Sequence, residues 1–275
     1  MAWRRALGVL ALAVLAAAPA WAQTIYGVSD EDKYRPQPGK VGGALNLATI
    51  ADPKSFNAIM AMETSTTEIT NLIFEGLTRV NGISGKVEPN LAERWEVSED
   101  GLTWTFHLRT DVQWSDGHPF TAHDVEFTFN RLINNDDHPN SARDVLSVEG
   151  KFPDIKGLDD HTVRIVTPTP YAPFLRALGT EILPKHKLEK MVEERRFASG
   201  WGLDTDPKEI VGTGPFMLVK YLPAQRVILK RNPNYWRKDA AGNRLPYLGE
   251  IVYLIVQNED VARLKFDSKE IDVYS

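Results

Sequence analysis

The sequence predicts a mixed α/β protein, and three stretches indicate both kinds of element. In residues 102–109, large apolar side chains alternate with polar ones, which is the period of a strand with one buried face. Residues 251–256 are almost continuously apolar, as in a strand that is buried on both faces. After Thr121, apolar residues recur at the spacing of one helix face, at Val125, Phe129, Leu132 and Ile133. We therefore predict an α/β architecture of the mixed α+β type.

The first 22 residues have the pattern of an export signal. Arg4 and Arg5 give a basic start, and residues 6–18 form an apolar run that is short and rich in alanine for a membrane span. Residues 20–22 read Ala-Trp-Ala, an A-x-A cleavage site, so we expect cleavage after Ala22 by general secretion. A membrane anchor and the twin-arginine route are the alternatives. The sequence has no cysteine, which excludes disulfides and a lipidated N-terminal cysteine.

Composition and charge do not indicate a nucleic-acid partner. The formal net charge is −5 at pH 7, the charges are mixed along the chain, and no basic face with interleaved aromatics appears. Residues 23–39 are polar and contain Pro36, Pro38 and Gly39, so we expect a flexible leader there.

The first folded segment predicts a strand, a loop and a helix. Leu45 and Leu47 alternate within residues 43–50, which predicts the strand. Residues 51–66 form the loop. Ile69, Leu72 and Ile73 then repeat at helical spacing before Gly76, a residue typical of helix ends.

The middle of the chain predicts a section rich in hairpins. Strand-like residues 87–97 lead into residues 102–109, and Asp116-Gly117 is a strong turn signal. Thr121 and Asp124 resemble a capping box at the start of the helix that follows. Residues 141–148 predict a further helix. Residues 155–158 and 163–166, separated by two aspartates, predict a hairpin.

The last third predicts helices followed by strands. Residues 171–178 and 184–194 read as short helices, and 216–221, 227–230 and 271–274 as strands. The two glycines of residues 212–216 (GTGPF) permit a close approach of the backbone before a fixed turn. Tyr235 and Trp236 follow a turn, and we interpret them as packing aromatics. Val261, Leu264 and Phe266 predict a helix.

Several linked motifs resemble the extracytoplasmic solute-binding proteins, family 5, of peptide and nickel ABC importers. The motifs are FEGL (74–77), PNLAERWEVSEDGLTWTFHLR (89–109), WSDGHPFTAHDVEFTF (114–129), GTGPF (212–216), RNPNYW (231–236) and FDSKEIDV (266–273). The resemblance implies a two-lobed fold like that of type II periplasmic binding proteins, with mainly the first lobe in this chain. Family members continue into a whole second lobe, so we expect either a truncated chain or part of a longer sequence.

This resemblance implies a division of the chain into six segments. They are a signal peptide (1–22), a flexible leader (23–39), the first part of the first-lobe core (40–74), an inserted hairpin-rich subdomain (75–167), the second part of the core (168–256) and the truncated start of the second lobe (257–275).

The loop after the first strand is the predicted ligand-binding segment. The resemblance implies that it faces the ligand cleft, and loops at strand ends commonly supply ligand contacts from a rigid base. Asp52 and Pro53 are equally well explained as turn formers. The candidate ligand-binding residues are Asp52, Phe56, Asn57, Glu63, Thr64 and, near the cleft, Thr213.

No residue pattern indicates catalysis, a metal or a cofactor. The sequence has neither a GxSxG elbow nor a cysteine nucleophile, and none of its six histidines has a metal-ligand spacing. His118, His123 and Asp124 are close in sequence, and we interpret them as polar residues at a helix start rather than as metal ligands. Trp95, Trp104 and Trp114 lie in strand-like patterns, which favours core packing over a sugar-binding surface.

The resemblance implies a periplasmic substrate-binding component of a peptide-type ABC importer, which is not an enzyme and needs no cofactor. Its partners would be a peptide or other small solute and the permease subunits at the inner membrane, and we expect a monomer. A periplasmic sensor or chaperone with the same fold is the alternative, and a secreted hydrolase is a third hypothesis. Similar proteins bind peptides, nickel complexes, haem, opines or oligosaccharides, so the solute stays open. We expect this chain to bind solute weakly or not at all, because half of the enclosing surface would be missing, and we expect exposed apolar surface at the Ile251 strand.

Overall fold

The structure, a computed structural model, describes residues 39–274 of the chain. The predicted export signal and residues 23–38 of the predicted leader lie outside the described residues. Within residues 39–274, no helix has both the length and the apolar character that a bilayer span requires.

The first sheet joins a strand from the start of the described chain to three strands from its end. Its order is β1-β10-β9-β8. The strands are β1 (Ala44–Thr49), β8 (Phe216–Leu222), β9 (Arg226–Arg231) and β10 (Glu250–Ile255). The pair β1 and β10 is parallel, whereas the pairs β10–β9 and β9–β8 are antiparallel. A parallel pair needs a crossover connection, and the intervening chain supplies it.

The apolar run at residues 251–256 forms β10, which is hydrogen-bonded to neighbours on both edges. Ile251 and Tyr253 point to one face and Val252 to the other, and all three are buried. The prediction of a strand buried on both faces is confirmed for these residues. The expectation of exposed apolar surface at this strand is wrong, because Ile251 is only 5% exposed.

The helix predicted after β10 is present as α6 (Glu259–Asp267), but it does not bury the residues that predicted it. Only Ala262 of this helix is buried, whereas Leu264 is 66% exposed and Phe266 is 42% exposed. The ring of Phe266 lies 6.2 Å from that of Tyr274. The apolar residues of this helix therefore form part of an exposed surface.

The strand predicted at residues 271–274 is wrong. This segment lies beside β1, and the backbone N–H of Asp272 donates to the Asn46 carbonyl at 2.8 Å. The N–H of Asn46, however, donates to the Asp272 carboxylate at 2.7 Å instead of to a backbone carbonyl. Because a side chain takes the place of the ladder acceptor, the segment forms a bend and no strand.

The second sheet is built by the middle of the chain and is antiparallel throughout. Its order is β4-β5-β7-β6, with β4 (Ala92–Val97), β5 (Thr103–Leu108), β6 (Asp154–Asp159) and β7 (Thr162–Val166). The hairpin of β6 and β7 is the predicted one. A separate hairpin pairs β2 (Thr78–Val80) with β3 (Val87–Pro89).

Aromatic residues fill the core of this second region, as predicted. Phe106 and Leu108 are buried, in agreement with the alternation in residues 102–109. Trp95 and Trp114 are fully buried, and Trp104 is half-buried with its ring 5.3 Å from that of Phe174. The packing role that we predicted for these tryptophans is confirmed.

The predicted capping box begins α2 (Ala122–Phe127), which continues as a π-helix over Thr128–Ile133. The Asp124 carboxylate accepts the backbone N–H of Thr121 at 3.0 Å. It also accepts the N–H of Lys185 at 2.9 Å and the indole N–H of Trp114 at 3.3 Å. One side chain thus caps the helix and fixes it to two neighbouring segments. The four residues that predicted the helix are all buried.

The remaining α-helices are short. They are α1 (Thr64–Ile73), α3 (Ser141–Leu146), α4 (Phe174–Ala177) and α5 (Lys185–Glu193). The loop predicted at residues 51–66 is shorter than expected, because α1 begins at Thr64. Glu63 has extended backbone angles and occupies the N-cap position of α1.

Glycines 212 and 214 let the GTGPF loop lie directly against the end of α1. The N–H of Gly214 donates to the Ile73 carbonyl at 2.8 Å. A Cβ atom at Gly212 would lie 1.9 Å from that same carbonyl oxygen. The close backbone approach predicted for this motif is therefore confirmed.

The two four-stranded sheets follow the segments that we predicted for the first-lobe core and the inserted subdomain. The first sheet takes β1 from residues 40–74 and its other strands from 168–256, while the second lies within 75–167. The division into lobes and subdomains stays a prediction.

Candidate functional site

A cavity of about 780 Å³ lies where β1 and β10 end. Because these two strands are parallel, their carboxyl ends meet at the same edge of the sheet, where ligands commonly bind in α/β folds. The start of α1 forms a second wall, and α6 with the bend that follows it forms a third. Its lining residues are 47–51, 63–65, Glu68, Tyr253, Glu259, Ala262, Ile271, Val273 and Tyr274.

Three carboxylates line the cavity. Glu63 pairs with Lys54 at 3.0 Å, and this hydrogen bond holds the pKa of Glu63 below its ordinary value. Within residues 39–274, the structure shows no ion pair at Glu68 or Glu259, whose charges stay available to a ligand. Carboxylates of this kind favour ammonium, guanidinium and N–H groups of a ligand.

The phenol of Tyr253 adds a hydrogen-bonding group to the cavity wall. Burial, with a smaller contribution from the negative charge of Glu68, raises the pKa of Tyr253 to about 12. At neutral pH this hydroxyl therefore keeps its proton and can donate as well as accept a hydrogen bond.

The start of α1 offers backbone donors to the same cavity. The N–H groups of Thr66 and Thr67 donate to the Glu63 carbonyl at 3.0 Å. In the described part of the chain no group accepts the N–H of Thr64 or Ser65, as is usual for the first residues of a helix. Carboxylates and free N–H groups thus occur together, which suits a ligand with both donors and acceptors.

The structure brings two of the six predicted ligand-binding residues to this cavity, Glu63 and Thr64. The carboxylate of Asp52 accepts the Tyr221 hydroxyl at 2.6 Å and the Ala224 N–H at 2.9 Å, which fixes the loop to the turn between β8 and β9. Asp52 therefore anchors the loop that leads to the cavity and does not itself line the cavity. Its contact with a ligand stays a prediction.

The other three predicted residues are buried. Phe56 packs edge-on against Tyr221 with 5.9 Å between ring centroids. Asn57 donates from Nδ2 to the Phe197 carbonyl at 3.0 Å, and Thr213 is fully buried beside the end of α1. In this structure the three residues hold the loop and GTGPF in place, and their contact with a ligand stays a prediction.

The cavity contains residues that the sequence argument missed. Glu68 follows Thr64 by one helical turn and therefore lies on the same face of α1. Tyr253 is the register partner of Leu47 in the parallel pair of β1 and β10. The helical spacing was visible in the sequence, whereas the pairing of strands about two hundred residues apart was not.

The residues weighed as a metal site do not converge. Asp124 is buried among three N–H donors, and its burial raises its pKa. His118 stacks on His186 at 4.1 Å, while His123 lies 3.5 Å from Asp160. No group of three potential ligands for a metal ion occurs within residues 39–274. The structure thus supports the capping interpretation of Asp124.

Residues 86–275 match the family of bacterial extracellular solute-binding proteins, family 5, middle region. This match covers more than half of the chain. The chain belongs to this family. The resemblance seen in the sequence motifs is therefore confirmed.

Curated relatives of family 5 agree with this assignment. The periplasmic oligopeptide-binding protein OppA of Salmonella typhimurium is 32% identical over 221 residues, which cover 73% of this chain and 37% of OppA. The dipeptide-binding protein of Escherichia coli is 32% identical over 238 residues, covering 80% of this chain and 42% of that protein. The chain thus spans about two fifths of the length of these relatives.

Solved structures of family 5 proteins show the same fold. The periplasmic binding protein DppA of Helicobacter pylori, in complex with the peptide STSA, aligns with a TM-score of 0.69 and 27% identity, covering 88% of this chain and 47% of DppA. The periplasmic binding protein MelB of Agrobacterium fabrum, in complex with stachyose, aligns with a TM-score of 0.76 and 26% identity. The alignment covers 85% of this chain and 37% of MelB. The predicted fold class is confirmed.

Two of the family motifs meet in space around Glu75 of FEGL. Its carboxylate accepts the Tyr235 hydroxyl at 3.1 Å and the Trp236 indole N–H at 2.9 Å, both from RNPNYW. The guanidinium of Arg109 lies 4.1 Å above the Trp236 ring. The packing role predicted for Tyr235 and Trp236 is confirmed, and their polar atoms are satisfied by Glu75.

Proposed function

We propose that the protein is the substrate-binding component of a peptide-type ABC importer. It captures a solute at the β1/β10 cavity, encloses it with a second lobe and delivers it to permease subunits at the inner membrane. It acts as a monomer in the periplasm after cleavage at Ala22, without lipidation and without chemical change to the solute. Membership of family 5 and similarity to an oligopeptide-binding protein and a dipeptide-binding protein support the proposal.

The observation that carries this proposal is the mixed lining of the cavity at the strand ends. A peptide has an ammonium group, N–H donors and carbonyl acceptors along an extended backbone. Glu68 and Glu259 suit the donors, whereas the N–H groups of Thr64 and Ser65 suit the acceptors. The lining contains no cysteine or histidine and no serine paired with a base, so it favours binding over catalysis.

Binding in this way releases free energy mainly when the solute is removed from water. An open cavity makes hydrogen bonds that compete with water, whereas enclosure between two lobes desolvates the same bonds and strengthens them. The closed, loaded form then differs in shape from the empty form. A permease that binds the closed form better responds only to loaded protein.

The test is a calorimetric titration of the protein with di-, tri- and pentapeptides. Glu68→Gln removes one cavity charge and keeps the shape of the side chain. Glu99→Gln makes the same change at an exposed turn outside the cavity. We expect peptide binding that Glu68→Gln weakens about three- to tenfold and Glu99→Gln leaves unchanged. Peptide binding that both variants weaken equally, or that neither variant weakens, would contradict the proposal.

Delivery is tested separately, by uptake of a labelled peptide into cells that contain or lack the gene. The proposal expects loss of uptake in cells without it. Binding in solution combined with unchanged uptake would instead favour a periplasmic sensor or chaperone that uses the same fold.

A further inference from the structure

The lining of the β1/β10 cavity carries charge of one sign. It contains the carboxylates of Glu63, Glu68 and Glu259, and it contains no lysine, arginine or histidine. One cation approaches this group from outside the lining, since Lys54 pairs with Glu63 at 3.0 Å through an exposed side chain. Two of the three negative charges have no counterion among the described residues. The cavity therefore presents a negative wall to a solute.

The start of α1 does not reverse this sign. A helix N-terminus carries about half a positive charge, shared among its free N–H groups, whereas each carboxylate carries a full negative charge. The free N–H groups of Thr64 and Ser65 therefore suit a neutral carbonyl better than a further carboxylate. Because a cleft lined by one sign of charge concentrates its electric field, the cavity attracts cations and repels anions.

Tyr253 adds a fixed hydrogen-bonding group to this wall. The residue is only 7% exposed, and its strand β10 has neighbours on both edges. In the described part of the chain its hydroxyl has no hydrogen-bond partner, and it is not one of the fully enclosed polar atoms that lack a partner. The hydroxyl is therefore open to the cavity that Tyr253 lines. A rigid ring with an accessible, unused hydroxyl is well placed to contact a ligand.

Glu68 lies close enough to act together with this hydroxyl. Its negative charge contributes to the raised pKa of Tyr253, after burial, which is the larger cause. An ammonium group has three N–H donors, so one can bond a Glu68 oxygen while another bonds the phenol oxygen. A neutral amide also bonds the phenol, but only a cation gains the stronger, charge-assisted bond to the carboxylate.

The apolar part of the lining suits the aliphatic stem of a basic side chain. Leu47, Ala262 and Ile271 provide apolar surface, and Tyr274 provides an exposed aromatic ring. Lysine and arginine side chains combine an apolar stem with a charged end. Their charged ends also bind the face of an aromatic ring. The lining thus matches both parts of such a side chain.

We propose that the β1/β10 cavity selects its solute by charge, holding the ammonium or guanidinium group of a basic residue against Glu68 and the Tyr253 hydroxyl. It disfavours acidic residues at the same place. This selection rests on the proposed function, because it narrows the solute of that site from peptides in general to peptides that contain lysine or arginine.

The test compares three pentapeptides that differ in one residue, Ala-Ala-Lys-Ala-Ala, Ala-Ala-Gln-Ala-Ala and Ala-Ala-Glu-Ala-Ala. Titrations are followed by the NMR shifts of the backbone amides of Leu47 and Tyr253, which also detect weak binding. We expect the lysine peptide to bind about three- to fivefold more tightly than the glutamine peptide, and the glutamate peptide to bind most weakly. Added salt should reduce these differences, because it screens charges.

Glu68→Lys is a variant whose expected effect differs from a mere loss of packing. Reversing this charge should reverse the order, so that the glutamate peptide binds more tightly than the lysine peptide. Glu99→Lys, the same reversal at an exposed turn outside the cavity, should keep the original order. Tyr253→Phe should weaken binding of the lysine peptide about threefold, because it removes one hydrogen bond.

The outcomes separate this selection from the proposed function. Equal binding of the three peptides, or an order that Glu68→Lys leaves unchanged, would overturn the selection and leave the proposed function standing. The contacts all lie within this chain, so absence of a shift with every peptide would also overturn the selection. A preference for the lysine peptide, together with unchanged uptake of that labelled peptide in cells without the gene, would support the selection and contradict the importer.

Discussion

At the scale of single residues, Glu75 connects two motifs that lie about 160 positions apart in the sequence. Its carboxylate satisfies two aromatic donors, from Tyr235 and Trp236, that would otherwise be buried without acceptors. This explains why FEGL and RNPNYW contain polar atoms in a region of apolar packing. The network also positions Trp236 under the guanidinium of Arg109.

Replacing Glu75 with alanine should therefore destabilise the fold strongly. Glu75→Ala leaves both donors unsatisfied, and we expect the free energy of unfolding to fall by about 2–4 kcal/mol in urea denaturation. Glu99→Ala, at an exposed turn, should change it by less than about 0.5 kcal/mol. Equal effects of the two substitutions would show that the network does not stabilise the fold.

The same carboxyl group should make stability depend on pH. Burial raises the pKa of Glu75 above its ordinary value of 4.5, although the hydrogen bond from Trp236, the charge of Arg237 and the hydrogen bond from Tyr235 act against that shift. The folded state then binds the proton more tightly than the unfolded chain. The contribution of Glu75 to stability is fully present below about pH 4.5, and it is lost as the pH rises through the pKa of Glu75 in the folded state.

Glu75→Gln should remove this contribution. We expect the free energy of unfolding of the unmodified protein to decrease more between ~pH 4.5 and ~pH 7 than that of Glu75→Gln. Denaturant titrations at several pH values measure both slopes. A steeper decrease in the variant would contradict the direction of the shift.

Gly212 gives a residue-scale test of the close contact between GTGPF and α1. Gly212→Ala would place a Cβ 1.9 Å from the Ile73 carbonyl oxygen, so we expect a loss of about 3 kcal/mol in the free energy of unfolding. Gly82→Ala meets no atom within 4 Å and should be nearly neutral. If the Gly212→Ala variant were as stable as the Gly82→Ala variant, the close contact between the GTGPF loop and α1 would be contradicted.

At the scale of elements, the sequence predicted most of the helices and strands because their signals are local. The alternation in residues 102–109, the capping box at Thr121 and the apolar run at 251–256 each depend on neighbouring residues. The prediction of a strand at residues 271–274 failed, because a short apolar pattern does not show which group pairs with β1. There the Asp272 carboxylate takes the N–H of Asn46, which a strand would have paired with a carbonyl.

The candidate site was harder to predict than the elements for a related reason. The sequence indicated the correct loop, since loops at strand ends commonly bind ligands. It did not indicate which side chains of the loop face the cavity and which face the core. Phe56 and Asn57 are therefore among the predicted ligand-binding residues, although both are buried. Tyr253 and Glu259 were missed because only the pairing of β1 with β10 brings them beside Glu63.

Hydrogen exchange can test this description of the first sheet. The amides of β10 should exchange slowly, because the strand has neighbours on both edges. The amides of Val273 and Tyr274 should exchange much faster, since the bend gives them no ladder partner in the described structure. Comparable protection in both segments would restore the strand that the sequence predicted at 271–274.

At the scale of the whole molecule, residues of α1 contribute to the lining of two cavities. One has carboxylates with free backbone donors, and the other has Glu181 between small apolar walls. The exposed residues Val273 and Tyr274 line the larger cavity, and the ring of the exposed Phe266 lies 6.2 Å from that of Tyr274. We expect solute binding to reduce the exposure of this surface, in keeping with enclosure by a second lobe.

The most direct test of the account asks whether the protein holds a solute and releases it unaltered. The purified protein is incubated with a pentapeptide, separated from free peptide and denatured, and the released peptide is weighed by mass spectrometry. The account predicts recovery of the intact peptide, in an amount that Glu68→Gln reduces and Glu99→Gln does not. Recovery of cleaved or modified peptide, or of equal amounts of peptide from the unmodified protein and Glu68→Gln, would contradict it.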